Sequence, residues 1–148
     1  MNKIFLSVLL LLPALFPVHG QSWRALQQQA QKRGELASAR QIILLDSTAV
    51  SVAPSGTGTF TINILVQNRS GALANRVLKY DYDPLTAFAE FHRVNIYKAN
   101  GEVRPVDVGK TLDYTAPARM IYWGARQIML ELGRLDPGDI IEYEIHKK

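Results

Sequence analysis

From residue 41 onward the apolar positions recur with a period of two. The clearest run is Thr59 to Gln67, with Phe60, Ile62, Ile64 and Val66 on one parity and Thr59, Thr61, Asn63 and Gln67 on the other. Such alternation predicts a strand with one buried face. Ile42 to Val52, Val77 to Tyr82, Glu102 to Val108 and Arg126 to Leu132 read as further strands, the last with Ile128, Leu130 and Leu132 inward. Phe88 to Lys98 alternates imperfectly: Phe88, Val94 and Ile96 share a parity that Phe91 does not. A bulge near Phe91 to Arg93 would reconcile them. The chain closes with Ile141, Tyr143 and Ile145 alternating against Glu142, Glu144 and His146.

Turn chemistry separates these runs. Ala53 to Gly58, Asn68-Arg69-Ser70-Gly71, Asp83-Pro84, Asn100-Gly101 and Asp136-Pro137-Gly138-Asp139 all read as turns. Asn-Gly in particular tolerates positive φ and marks a hairpin. Gly109 to Ala125 reads as irregular, with Pro117 and the aromatics Tyr114, Tyr122 and Trp123. About seven strands with no helices between them predict a mainly β, antiparallel, sandwich-like domain over 41–148.

The first forty residues follow different rules. Lys3, the apolar run Ile4 to Phe16 and Val18-His19-Gly20 form the tripartite secretory signal pattern. Cleavage is expected between Gly20 and Gln21. The apolar run is shorter than the roughly 20 residues of a membrane span, so no integral span is expected after cleavage. Residues 21–40 read as a helical spacer, from Ser22, a suitable cap, to Arg40, with Gly34 weakening it. The expected location is the periplasm or cell envelope of a Gram-negative bacterium.

Composition excludes some chemistries. The 148 residues suffice for one domain. There is no cysteine, hence no thiol nucleophile and no zinc–thiolate site. The net charge is +4, but the basic residues are scattered. A stripe of Lys/Arg with interleaved aromatics, as nucleic-acid binding needs, is missing. Val108-Gly109-Lys110-Thr111 resembles the tail of a phosphate loop, but Arg104 stands where the first glycine belongs. Gly56-Thr57-Gly58 is half a dinucleotide fingerprint, with Thr61 at the third glycine. Asp81, Asp83 and Asp107 do not make the acidic ladder of a calcium loop. No cofactor is expected.

Two candidates remain. Glu142, Glu144 and His146 project from one strand face and are able to bind a metal such as zinc, as a metal-dependent hydrolase would need. Alternation against Ile141, Tyr143 and Ile145 also explains them as the solvent face of the last strand. Tyr114, Tyr122 and Trp123 suit peptide or glycan contact on a loop, as in a stand-alone periplasmic binding protein. They equally suit plugging the open end of a sandwich.

The order of segments carries more than any one of them. LLDSTAVSV, TFTINILVQN, YDYDP, RVNIYKANGEVRPV, IMLEL and LDPGDIIEYEI follow one another. This succession resembles the bacterial domain-of-unknown-function family 3857, from about Gln41 onward. The resemblance implies an exported β-rich accessory domain that sits between a signal peptide and a transglutaminase-like domain. It also implies that the chemistry lies in a downstream cysteine-histidine-aspartate centre, so no catalytic residue carries over to this chain. The expected role is to position the enzyme domain or to present peptide or cell-envelope polymer to it. The family domain tends to continue past this strand, so the chain is expected to be a piece of a larger protein. Its final strand would then lack a neighbour and expose an edge.

Overall fold

The computed structural model describes residues 38–52, 56–115 and 124–148, together with Ala25 and Gln28. The signal segment and most of the expected helix at 22–40 lie outside the described residues. Ala25 and Gln28 are helical and exposed, and the backbone is no longer helical at 38–40.

Among the described residues, eight strands form two antiparallel sheets. β1 (Gln41–Ser51), β2 (Thr57–Val66), β4 (Ala89–Tyr97), β5 (Val103–Pro105) and β8 (Ile140–Lys147) make the first, in the order β1-β2-β8-β4-β5. β3 (Val77–Tyr82), β6 (Leu112–Thr115) and β7 (Arg126–Glu131) make the second, in the order β3-β7-β6. The sheets share one core. Val66, Ile96 and Ile141 of the first pack in the same buried cluster as Leu78, Ile128 and Leu130 of the second. The mainly β, antiparallel, sandwich-like reading holds.

The alternation places the core as expected on β7, just past its end, and on β8: Ile128, Leu130, Leu132, Ile141 and Ile145 are all buried. β2 departs from it. Asn63 and Leu65, on the polar parity, are buried as well. A second cluster explains this, because Leu65 packs with Ile42 and Ile140, flanked by Leu44 and Tyr97, on the opposite face of the sheet. One end of the five-stranded sheet is therefore apolar on both sides, which a single-face pattern does not anticipate.

Three expectations need correcting. The final strand does not lie at an edge: β8 pairs with β2 on one side and with β4 on the other. Its backbone groups have partners on both flanks, and the sheet's edges are β1 and β5. Asn68-Arg69-Ser70-Gly71 is not a simple turn but the start of a short helix, α1 (Arg69–Ala74). Asn68 is extended and its side chain accepts from the Gly71 N–H at 3.0 Å, so a residue read as a turn former is a helix cap. The segment read as irregular contains β6, which pairs with β7. Asn68→Ala is expected to lower stability by about 1 kcal/mol in urea unfolding, because it frees the Gly71 N–H and also removes the hydrogen bond from Asn68 Nδ2 to the Ala39 carbonyl.

The Asp-Pro-Gly-Asp turn is a clamp. The Gly138 N–H donates to Val66 O at 2.7 Å, and the Val66 N–H donates to Asp139 O at 2.9 Å. Gly138 has φ +91°, a value that L side chains rarely adopt. Asp139 is buried, and its Oδ2 takes the Lys98 ammonium at 2.6 Å and the Asp136 N–H at 2.8 Å. Lys98 opens the β4–β5 hairpin, whose Asn100-Gly101 turn forms as the sequence predicts. The clamp thus ties the start of β8 to the end of β2 and to the hairpin.

Candidate functional site

The face of the five-stranded sheet turned away from the main core carries a group of three side chains, among the described residues, that could hold a metal ion. Pairing sets its composition: Thr61 and Arg93 flank Glu144, and Asn63 and Asn95 flank Glu142. Glu142 is committed. Its Oε2 accepts from Tyr97 Oη at 2.7 Å and from Asn95 Nδ2 at 3.2 Å. Burial raises the Tyr97 phenol, and the adjacent Glu142 carboxylate raises it further, to about 12. The protonated phenol is favoured in the fold, so its stabilisation is complete below the ordinary tyrosine value and is lost as pH rises through about 12. A phenolate absorbance titration is expected to show a late component near pH 12 that is missing from Tyr97→Phe.

Glu144 and His146 belong to a separate group. His146 Nε2 lies 2.8 Å from Glu144 Oε1, and the Arg93 guanidinium lies 3.3 Å from Glu144 Oε2. His92 completes it. The His92 and His146 rings stack with centroids 3.9 Å apart and planes 17° apart. Ligand atoms of His92, Glu144 and His146 all lie within 4.8 Å of one another.

The bulge in β4 produces this grouping. Phe91 pairs with Ile145, but the next pair is Arg93 with Glu144, so His92 and Arg93 together stand opposite one residue. A bulge of this kind re-aims side chains. Phe91 stays in the core at 5% exposure, while His92 is exposed beside the polar face. The sequence anticipates the bulge but not its consequence. Of the set Glu142, Glu144 and His146, the structure brings the last two together, assigns Glu142 to Tyr97 and supplies His92 in its place. Nor is the face freely solvated: the Glu144 side chain is only 16% exposed.

The aromatic candidates divide. Tyr114 lies on β6, half-buried, and its hydroxyl donates to Gln127 Oε1 on β7 at 2.9 Å. Tyr122 and Trp123 lie outside the described residues. The three aspartates considered for calcium serve separate local structures. Asp81 accepts from Gln127 Nε2, Asp83 from the Leu85 N–H and Asp107 from the Gly109 N–H. Val108–Lys110 forms a single 3-10 turn, not the helix a phosphate loop requires.

Two open grooves lie elsewhere. One, of about 640 Å³, runs along the second sheet past Val77, Arg104, Lys110, Leu112 and Met129. The other, of about 620 Å³, lies between α1 and the 134–137 turn, with Arg69, Arg76 and Arg134 around Leu73 and Leu135. Among the described residues, no helix is long and apolar enough to cross a membrane.

Two antiparallel sheets over one core, with a polar bulged face, define a β-sandwich module. The sequence matches the family model described as Domain of Unknown Function with solved-structure structure (DUF3857) over residues 54–148. The chain belongs to that family. No curated protein matches it. Among solved structures it is similar to a crystal structure described as a "putative protease" from Parabacteroides distasonis, with TM-score 0.61 and 9% sequence identity. The match covers 74% of this chain but only 23% of that one. At that identity the likeness establishes a shared fold.

Proposed function

We propose that this chain is a non-catalytic, exported accessory domain that works beside a transglutaminase- or protease-like domain, positioning it or presenting peptide or envelope polymer to it. The observation that carries this reading is the proportion of the match. Three quarters of this chain superposes on less than a quarter of a much longer protein described as a protease. A module of this fold therefore occurs as one part of a larger polypeptide.

The edge of the sheet supports a docking role. β1 is eleven residues long and, among the described residues, pairs only with β2. It carries Ile43 at 56% and Val50 at 67% exposure. Long apolar edges are normally blunted or covered, and an adjoining domain would cover this one.

The gene locus tests the reading. A transglutaminase-like or protease domain is expected in the same reading frame or an immediately adjacent one, and deleting 41–148 from the joint protein is expected to depress turnover of polymeric substrate more than turnover of a short peptide. A locus encoding no such domain, or equal loss on both substrates, overturns it.

A further inference from the structure

We propose that His92, Glu144 and His146 form a binding site for a zinc-class divalent transition-metal ion on the polar face of the five-stranded sheet. The inference is independent of the accessory role and assigns no catalysis to the ion.

The donor set fits that class. Two imidazoles and one carboxylate suit zinc, nickel, copper or iron, whereas calcium and magnesium prefer oxygen ligands alone. Three protein ligands leave a fourth tetrahedral position for water or an external donor. The donors already lie within 4.8 Å of one another. Ligands of one tetrahedral zinc lie about 3.3 Å apart, given bonds of about 2.0–2.2 Å, so the gap to close is short. The rings are nearly parallel, at 17°, so a shared ion requires one of them to turn. His92 is exposed and stands on the bulge, which leaves it room to do so.

The supports are rigid where they need to be. Glu144 and His146 lie on β8, held between two neighbouring strands. Glu144 is oriented by Arg93 at Oε2, while its Oε1 already meets the imidazole of His146. Arg93 also occupies the position of a competing cation, so it sets an upper limit on affinity. The set is specific in another respect: Glu142 lies two residues from Glu144 on the same strand, yet Tyr97 and Asn95 occupy its carboxylate.

Calorimetric titration of the untagged chain with zinc chloride tests this, with calcium chloride as a control. One zinc per chain is expected, with no calcium binding. His92→Ala and His146→Ala are each expected to weaken binding about tenfold or more, with thermal unfolding of the metal-free variants confirming that they fold. Glu142→Gln is expected to leave affinity within about twofold, and Arg93→Met to strengthen binding by freeing Glu144. Absence of zinc binding overturns the proposal. So does binding that survives both histidine substitutions, or binding that Glu142→Gln weakens as much as Glu144→Gln does. None of these outcomes bears on the accessory role, which stands or falls on the gene locus and on the deletion of 41–148.

Discussion

Lys98→Met is expected to lower the unfolding free energy by about 3 kcal/mol, measured by urea denaturation. The substitution keeps the aliphatic stem but removes the ammonium that bridges Asp139 and Asp136 at 2.6 and 3.0 Å. Asp139 is 1% exposed, and its Oδ1 has no hydrogen-bond partner among the described residues. After the substitution, that buried carboxylate would retain only the Asp136 N–H. Removing one member of a buried pair is costly because the other stays charged and dehydrated. The Lys98 side chain is itself 21% exposed, which places the effect at the lower end of the range for buried pairs. Lys98→Met with Asp139→Asn together is expected to cost less than the sum of the two. A cost under about 1 kcal/mol for Lys98→Met alone would show that the clamp does not hold the hairpin.

The same clamp shapes the response to pH. Burial lowers the Lys98 value, but the hydrogen bonds that its ammonium donates to Asp139 and Asp136 outweigh it and leave it raised above the ordinary lysine value. The native state therefore keeps this proton longer than the unfolded chain does. Its stabilisation is complete below the unfolded lysine value and is lost as pH climbs through the raised native one. Tyr97 acts in the same direction. Asp136 acts oppositely. Hydrogen bonds from Lys98 and Arg134 hold it below 3.8, so its contribution is present above that value and is lost as pH falls through the depressed native one.

Gly71→Ala is expected to destabilise by about 3 kcal/mol, although alanine is ordinarily the better helix residue by about 1 kcal/mol. Gly71 lies in α1, where the chain entering β1 crosses it. A Cβ there would stand 1.9 Å from the Arg40 carbonyl oxygen and 2.8 Å from its carbon. Both obstacles are backbone, so no rotamer change relieves them. The crossing is anchored, since the Gln67 N–H donates to that same Arg40 carbonyl and Asn75 donates to Gln41. Circular dichroism and a melting curve would show the loss. A neutral or stabilising result would mean that the β1 entry shifts readily and that the crossing is not a fixed feature.

The strands were legible because half-buried sheet positions impose a two-residue period, and β3 was located to the residue, at Val77–Tyr82. β6 was not, because Leu112 to Thr115 is four residues long and only Tyr114 of them is even half-buried. α1 was hidden because asparagine, serine and glycine serve turns and helix starts alike, and the distinction lies in which N–H the Asn68 side chain reaches. The candidate metal group was half visible. Glu144 and His146 share a strand parity that the sequence displays, whereas His92 joins them only through the register shift on the neighbouring strand. Parity along one strand carries no information about which residue of another stands beside it. The order of the strands was equally hidden, and with it the central place of β8.

That central place governs the order in which the sheet is assembled. β1 with β2 and β4 with β5 can each form from neighbouring sequence, as local hairpins. Nothing in the first sheet joins the two until β8 is inserted between them. The first sheet therefore cannot be completed before residues 140–147 emerge from the ribosome. Until then two hairpins with open inner edges must be kept from pairing with other chains.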